Sequence, residues 1–263
     1  MTIKLSKIFP PLYKKFIYFV SDRLLLIVFF FHTAFKPSEF VYEVGKDSFL
    51  VRKNSSDIFT LKEVYIKKVY GGKPRGVVVD IGAHIGAFSV YASTTADKVY
   101  AFEPESSNYD QLIKNIRLNK KNGKIIPRKV AVGRENKKAH IYKGRFNKGA
   151  SSTTYRITGE SETVEMRSLS DLINDLGINK IDLLKIDIEG GEYDLLYGLP
   201  KEGFEKIDKL VLEYHYVAGE SYVDLTNYLV SLGYKVNIHK GLGFLIGTGI
   251  IEAAKGIDPE EHP

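Results

Sequence analysis

Short apolar runs alternate with segments of helical periodicity through most of this 263-residue chain. Residues 77–91, VVVDIGAHIGAFSVY, begin with three β-branched side chains, a pattern typical of a buried parallel strand. Gly82 and Gly86 mark a turn, and a helix is predicted from about Ile85. Further strands are predicted at Val99–Glu103, Ile125–Val132, Ile181–Ile188 and Lys209–Tyr214, and helices at Ser106–Asn119, from about Gly190, and at Ser221–Leu232. This alternation predicts a doubly wound, mostly parallel α/β sheet.

Both ends of the predicted sheet carry hairpin patterns. Residues 240–243, KGLG, separate the apolar segments Lys235–His239 and Phe244–Gly247, which predicts one antiparallel strand near the sheet edge. Residues 41–51 read as a second hairpin, and a helix over Ile58–Val69, capped by Asp57, is predicted to follow it. Residues 143–167 are rich in Gly, Ser and Thr, and an acceptor-side loop, an edge hairpin and a plain connection all stay open.

The basic charge of the chain is confined to its first third. Residues 1–76 hold 14 Lys/Arg and 6 Asp/Glu, whereas residues 77–263 hold 24 and 26. The longest uncharged run, Leu24 to Phe35, has 12 residues, fewer than the roughly 20 that a spanning helix needs. No small-x-small cleavage site follows it. We expect residues 1–40 to be an N-terminal helical extension and 41–263 the main domain. Packing of the extension on that domain and peripheral contact of residues 1–36 with an anionic membrane both stay open.

Composition removes whole classes of chemistry. The chain has no Cys, which excludes disulfides, thiolate zinc sites, cysteine-ligated clusters and a catalytic thiol. It also fits a cytoplasmic location. Hydrophobic residues at 44% and charged residues at 27% are ordinary globular values and exclude a disordered chain.

Candidate ligand-binding residues follow the predicted strands, because ligands of open α/β sheets bind at the carboxyl ends of the strands. Glu103 lies 21 residues after Gly82, the spacing of a carboxylate that accepts hydrogen bonds from ribose hydroxyls. The turn itself is Gly-x-x-x-Gly rather than the Gly-x-Gly-x-x-Gly of dinucleotide sites. Asp80 before it would repel a pyrophosphate and favour a cation. These features favour S-adenosylmethionine (SAM), a ribose-bearing cation, over a nicotinamide cofactor.

Four segments resemble, in order, the motifs of the FkbM-like family of SAM-dependent methyltransferases, over roughly residues 50–247. They are VVVDIGAHIGAFSVYA, VYAFEPESSNYDQLIKNIRLN, KVAVG and IDLLKIDIEGGEYDLLYGL. The resemblance implies a Rossmann-like methyltransferase sheet and methylation of a hydroxyl on a sugar, glycan or small metabolite. It also implies a cofactor site made of Asp80, Gly82, Ala83, His84, Gly86, Glu103, Pro104, Ala131 and Val132. His84 stands where the family usually has Asn, and we expect it near the methionine end of SAM.

Candidate catalytic residues follow the fourth and fifth predicted strands. They are Asp187, Glu189, Glu213 and His215. Any of them could act as a general base toward a hydroxyl, and paired acids there could hold a divalent cation. Structural interpretations stay open beside these: Asp187 or Glu189 as a helix cap, Lys185 as an ion-pair partner of Asp187, and His215 as a solvated strand end.

Two other functions stay open. The segment AFEPESSNYDQLIKNIRLN is also similar to archaeal tRNA guanine methyltransferases, and a basic first third would suit RNA. However, Ile188-Glu189-Gly190-Gly191 stands where those enzymes have an Asn/Asp-Pro-Pro-aromatic segment, so nucleic acid is the less favoured partner. The other alternative is a non-catalytic, SAM-binding, membrane-associated protein. The expected acceptor is a small molecule or glycan that the sequence does not name.

Overall fold

The computed structural model describes residues 37–142, 161–239 and 248–256. In chain order, the strands are β1 (Glu39–Val44), β2 (Asp47–Arg52), β3 (Val77–Ile81), β4 (Lys98–Phe102), β5 (Ile125–Arg128), β6 (Ala131–Gly133), β7 (Lys137–Tyr142), β8 (Ser161–Ser168), β9 (Leu183–Ile186), β10 (Lys209–Tyr214), β11 (Lys235–His239) and β12 (Gly249–Ala254). The helices are α1 (Asp57–Lys62), α2 (Ala87–Ala92), α3 (Ser106–Leu118), α4 (Leu169–Asp175), α5 (Glu192–Gly198), α6 (Lys201–Glu205) and α7 (Tyr222–Ser231).

Seven strands form the central sheet, in the order β11-β12-β10-β9-β3-β4-β5. Strands β10, β9, β3, β4 and β5 run parallel, and β12 is antiparallel to both β10 and β11. The predicted mostly parallel sheet with one antiparallel strand near its edge is therefore confirmed. The predicted strand Phe244–Gly247 lies outside the described residues.

Both faces of the sheet are buried, as the apolar runs of its strands require. On neighbouring positions of β3, Val78 packs into a core shared with β1, β2, α1, α2 and α3, whereas Val79 packs into a core shared with α4, α5, α6 and α7. The alternation of side chains along each strand therefore feeds two separate cores. In such a sheet, a ligand binds at the carboxyl ends of the parallel strands, between these layers.

The N-terminal hairpin is part of this body. Phe49 and Val51 of β2 are fully buried, and two α3 side chains fix the hairpin's backbone. Asn115 Oδ1 accepts a 2.7 Å hydrogen bond from the Leu50 N–H, and Gln111 Nε2 donates to the Leu50 carbonyl oxygen. The hairpin is therefore anchored to α3.

The structure corrects several predicted elements. The single strand predicted at Ile125–Val132 is two strands, because β5 pairs with β4 while β6 leaves the central sheet to pair with β8. With β7, these form a three-stranded sheet that the sequence pattern did not predict. The helix predicted over Ile58–Val69 is α1 followed by a π-helical turn over Glu63–Lys67. Asp57 does not cap this helix, because its carboxylate pairs with Arg52 instead.

Two predicted helix starts lie too early. The helix predicted from Ile85 begins at Ala87, because His84 and Gly86 adopt left-handed backbone angles, with φ of 51° and 85°. The helix predicted from Gly190 begins at Glu192, because Glu189 and Gly190 do the same. Within the described ranges, no helix has the length and apolar content needed to cross a membrane.

Candidate active site

A cavity of about 730 Å³ opens at the carboxyl ends of β3, β4, β9 and β10. This volume lies within the range of sites that enclose a small-molecule ligand. Eleven of the thirteen residues predicted for the site line it: Gly82, Ala83, His84, Glu103, Pro104, Ala131, Val132, Asp187, Glu189, Glu213 and His215. The topology thus brings together side chains that lie more than 130 positions apart in the sequence.

The glycine turn after β3 is held against the end of β4. The Gly82 and Ala83 N–H groups both donate to the Phe102 carbonyl oxygen at 3.0 Å. Gly82 has a φ of 77°, and a Cβ atom there would collide with the carbonyl oxygen of Asp187. Only glycine therefore allows β3 and β9 to end this close together.

Glu103 faces the cavity directly after β4. Its carboxylate accepts hydrogen bonds from the His84 N–H at 2.8 Å and the Glu105 N–H at 3.0 Å, with Asn108 Nδ2 at 3.4 Å. Burial raises the pKa of Glu103 to about 7 despite these bonds. A carboxylate has about four acceptor positions, so one is left for a ligand hydroxyl.

Asp80 and Gly86 were predicted for the cofactor site, but neither lines the cavity. The Asp80 side chain therefore lies outside the surface that a ligand in the cavity would contact. Asp80 is fully buried, accepts from Ser89 Oγ at 2.5 Å and pairs with Lys185 Nζ at 3.2 Å. The Lys185 ammonium group thus balances the negative charge of Asp80 inside the protein. Asp80 therefore acts on the site through Lys185. Gly86 starts α2, where a Cβ atom would press on Leu112.

Lys185 joins the β3 and β9 ends of the site. Its ammonium group donates to the Gly82 carbonyl oxygen at 2.7 Å, lies 3.7 Å from Asp187 Oδ2, and sits 5.2 Å from the ring centre of Tyr70. Burial lowers the pKa of Lys185, but the carboxylates of Asp80 and Asp187 outweigh it, so the pKa is raised. The pairing of Lys185 with Asp187 is thus present, and Asp80 is a second partner.

Asp187 is tied down on two sides. Tyr70 donates its hydroxyl proton to Asp187 Oδ2 at 2.8 Å, across 117 positions of sequence, and Lys185 lies on the other side. Burial raises the pKa of Asp187, but Lys185, His215 and Tyr70 together bring it below its usual value. Asp187 is therefore a fixed carboxylate at physiological pH.

His215 lies between two glutamates. Its Nδ1 is 3.0 Å from Glu192 Oε1, and its Nε2 is 3.4 Å from Glu189 Oε2. Burial lowers the pKa of His215, but Glu192, Asp187 and Glu189 outweigh it and raise the pKa to about 10. His215 is therefore a half-buried imidazolium rather than a solvated strand end.

Of the candidate catalytic acids, Glu189 and Glu213 have pKa values above their usual range. Burial, together with the charge of Asp187, raises the pKa of Glu189 to about 7 and that of Glu213 to about 8. Glu213 makes no hydrogen bond or ion pair with any residue that the structure describes. Asp187 and Glu189, the other two candidate acids, both have such partners.

Asp187, Glu189 and His215 also form the one group within the described ranges that could hold a metal ion, with one ligand atom from each lying within 4.8 Å of the others. An imidazolium has no lone pair to offer, however. The charge state of His215 therefore decides between a metal site and an ion-pair cluster.

The His84 side chain is held by a buried network that sequence reasoning missed. His84 Nε2 lies 3.3 Å from an Arg52 nitrogen and 3.5 Å from Asp57 Oδ1, and Nδ1 lies 3.4 Å from Thr60 Oγ1. Arg52 itself pairs with Asp57 at 2.7 Å and donates to Asn108 Oδ1 at 2.8 Å. Burial lowers the pKa of His84 to about 4, so the ring is neutral.

The sheet order, the glycine turn and the acid at the end of β4 define a Rossmann-like methyltransferase fold. The family model named "Methyltransferase FkbM domain" matches residues 80–236, and the chain belongs to this family. The described residues 37–79 precede the matched region.

Three curated relatives are similar to parts of this chain. The chain is 26% identical over 232 residues to 31-O-demethyl-FK506 methyltransferase FkbM of Streptomyces tacrolimicus, covering 77% of this chain and 83% of that protein. It is 27% identical over 154 residues to the hexuronic acid methyltransferase AglP of Haloferax volcanii, covering 58% and 61%. It is 25% identical over 205 residues to the AMB antimetabolite synthetase AmbE of Pseudomonas aeruginosa, covering 60% of this chain but only 9% of that protein.

Among solved structures, methyltransferase FkbM of Methylobacillus flagellatus is 22% identical, with a TM-score of 0.48. The alignment covers 66% of this chain and 42% of that one.

Proposed function

We propose that the protein is a SAM-dependent O-methyltransferase that modifies a hydroxyl of a sugar, a glycan or a small metabolite. The observation that carries the proposal is the shared cavity. Glu103, a ribose-type acceptor, lies on one wall, and the Glu213 carboxyl, which pairs with none of the described residues, lies on the wall formed by β10. A cofactor and an acceptor therefore have separate, chemically suited places in one site.

The residues present fit SAM on two grounds. Glu103 keeps an acceptor position for a ribose hydroxyl, next to the small Ala131 and Val132 that can receive an adenine ring. Burial raises the pKa values of Glu103 and Glu189, and a positively charged ligand would stabilise the ionised form of each. The relatives named for hexuronic acid and FK506-type substrates add support for a hydroxyl-bearing acceptor.

When bound, SAM supplies an electrophilic methyl group, so the protein needs no nucleophile of its own. The chain's task is to hold the acceptor oxygen in line and to remove its proton. Alignment of two reactants can account for about 7–11 kcal/mol of the barrier. Glu213 is the base we assign, since Asp187 is held by Lys185 and Tyr70, and Glu189 is held by His215.

The test has a binding arm and a transfer arm. Calorimetric titration should show binding of SAM and none of NADH; the opposite result would overturn the cofactor assignment. Isotopically labelled SAM is then incubated with uronic acid glycosides, neutral sugars, secondary-metabolite alcohols and total RNA. Label in a sugar or alcohol supports the proposal, whereas label in RNA together with salt-dependent RNA binding would favour the tRNA alternative.

The base assignment has its own test. Glu213→Gln should lower kcat by about 10²–10⁴-fold, the usual contribution of a general base, and leave the SAM Kd unchanged. Because a base works only when deprotonated, wild-type kcat should rise with pH through about 8, the pKa of Glu213. The exposed Glu220→Gln is the control and should match wild type.

The location of the protein belongs to the same proposal. The absence of Cys and the basic, apolar sequence of residues 1–36 support a cytoplasmic enzyme with a peripheral membrane contact.

A further inference from the structure

Arg52, the last residue of β2, carries a buried guanidinium group that the proposed reaction does not use. The residue is 8% exposed, and its counter-charge is the fully buried Asp57. Arg52 Nε donates to Asp57 Oδ2 at 3.0 Å, and Nη2 donates to Asp57 Oδ1 at 2.7 Å. These two bonds satisfy the ion pair, but a guanidinium has five N–H donors. The remaining donors of Arg52 are therefore free to contact residues of the neighbouring cavity.

One such contact fixes the amide group of Asn108, a cavity-lining residue of α3. Arg52 Nη2 donates to Asn108 Oδ1 at 2.8 Å, and Asn108 Nδ2 lies 3.4 Å from Glu103 Oε1 on its other side. The oxygen and the nitrogen of an amide lie on opposite sides of the group, so a donor at the oxygen decides which atom faces away from it. Arg52 thus turns the donor end of Asn108 toward the Glu103 carboxylate. The opposite orientation would place the amide oxygen against that carboxylate.

A second contact holds the ring of His84. Arg52 Nη2 lies 3.3 Å from His84 Nε2, and Thr60 Oγ1 lies 3.4 Å from Nδ1. The backbone of His84 is left-handed, with a φ of 51°, a conformation that a residue other than glycine keeps where its surroundings over-determine it. In this conformation the His84 N–H donates to Glu103 Oε2 at 2.8 Å. Arg52 and Thr60 therefore hold the ring of the residue whose backbone binds the second Glu103 oxygen.

We propose that Arg52 is a positioning residue of the cofactor site, which orients Asn108 and His84 so that they hold the two oxygens of Glu103 for a ribose. The inference rests on the proposed use of SAM. Arg52 does not line the cavity and acts only through these neighbours. It also precedes residues 80–236, which the family model matches, so the N-terminal hairpin is part of the cofactor site of this chain.

The experiment compares wild type with Arg52→Lys, which keeps a positive charge for Asp57 but loses the planar fork that reaches Asn108 and His84 as well. Calorimetry measures the Kd of S-adenosylhomocysteine and of its 2′,3′-dideoxy analogue. In wild type, loss of the ribose hydroxyls should weaken binding by about 10–100-fold, the effect of losing hydrogen bonds to a charged group. Arg52→Lys should weaken binding of S-adenosylhomocysteine by about 10-fold and change that of the dideoxy analogue by less than about twofold, because both changes remove the same contact.

Arg167→Lys is the matched control. Arg167 also pairs with an aspartate, Asp175, at 2.6 Å and donates to an asparagine oxygen, that of Asn136, at 3.3 Å, but it does not line the cavity. This variant should match wild type with both ligands. If Arg52→Lys weakened both ligands equally, the role of Arg52 would be structural only, and unchanged affinity for both would show no role. Either result overturns the inference.

A ligand-free measurement separates the inference from the proposed cofactor. Carboxyl ¹³C NMR of labelled glutamate follows Glu103 against pH, and Glu103→Gln assigns its signal. The N–H and amide donors oppose the burial that raises the pKa of Glu103 to about 7. Arg52→Lys should therefore raise this pKa by about 1 pH unit, the effect of losing about one hydrogen bond to the carboxylate. The charges of Glu105 and Lys185, which also act on Glu103, are the same in both proteins.

An unmoved Glu103 pKa would overturn the inference. If Arg52→Lys does not fold, Asn108→Ala decides by the same two measurements, since it removes the link to Glu103 and leaves the pair of Arg52 with Asp57 in place. A wild type that binds no S-adenosylhomocysteine would refute the proposed cofactor alone, and the titration of Glu103 would still decide the role of Arg52.

Discussion

Replacing Lys185 with Met is the most demanding test of the site's architecture. Lys185 is 3% exposed, and it is the counter-charge of the fully buried Asp80 as well as a donor to the Gly82 carbonyl oxygen. Met fills a similar volume but carries no charge. The variant therefore leaves the Asp80 carboxylate buried, with Ser89 as its one hydrogen-bond donor in the part of the chain that the structure describes.

The expected loss is large because the pair is buried. Removing one partner of a buried ion pair costs about 3–5 kcal/mol, a large part of the roughly 5–15 kcal/mol by which a domain is stable. At roughly 2–4 °C per kcal/mol for a chain of this size, the melting temperature should fall by about 6–20 °C. The pKa of Lys185 is raised in the folded state, so its contribution is complete below its unfolded pKa and is lost only as pH rises above that. The difference between variant and wild type should thus be constant from pH 6 to pH 9.

Urea and thermal unfolding, followed by circular dichroism, measure this loss. Lys114→Met is the control, because Lys114 pairs with Glu39 at 3.1 Å on the exposed surface, and it should cost less than about 1 kcal/mol. The double variant Asp80→Asn/Lys185→Met should recover part of the loss, since no uncompensated charge is then buried. If Lys185→Met were as stable as Lys114→Met, our account of Lys185 as the counter-charge of Asp80 would be wrong.

Three further predictions address ligands. Glu103→Gln should weaken SAM binding by about 10–100-fold in calorimetry, as expected for a lost charge-assisted hydrogen bond, and wild-type affinity should rise with pH through about 7 as Glu103 ionises; equal affinity in wild type and variant would contradict the ribose assignment. Because His215 is an imidazolium, treatment with EDTA should leave methyl transfer unchanged, and a loss restored by Mg²⁺ would show that Asp187, Glu189 and His215 bind a metal. Deletion of residues 1–36 should abolish binding to anionic lipid vesicles in a flotation assay and spare SAM binding, whereas vesicle binding by the truncated protein would exclude this segment as the contact.

The sequence predicted much of the sheet because its signals are local. Three β-branched residues at 77–79 mark a strand buried on both faces, and the structure confirms it as β3. Gly82 follows one predicted strand, and Glu103, 21 positions later, follows the next. A parallel pair of strands places such residues side by side at the same edge of the sheet. The cavity-lining residues were predicted for the same reason.

Local sequence patterns did not predict where the chain leaves one sheet and joins another. Ile125 to Val132 reads as one strand, yet β5 and β6 belong to different sheets, because the pairing of Ala131–Gly133 depends on β8, more than 30 positions later. Asp57 reads as a helix cap, but the arginine that precedes it by five positions folds back onto its carboxylate. The pattern of apolar and polar positions does not show which distant strand a segment will pair with, or which side chain a carboxylate will bind.

The chemical state of the site was decided by tertiary structure alone. Nothing near Asp80 in the sequence indicates that Lys185 neutralises it, and nothing near His215 indicates that Glu192 and Glu189 hold both of its nitrogens. Charge states depend on burial and on the few ångströms between ionisable groups. The sequence therefore determined which residues reach the cavity. Only the folded chain decided which of them are paired with a neighbour and which has no such partner among the described residues.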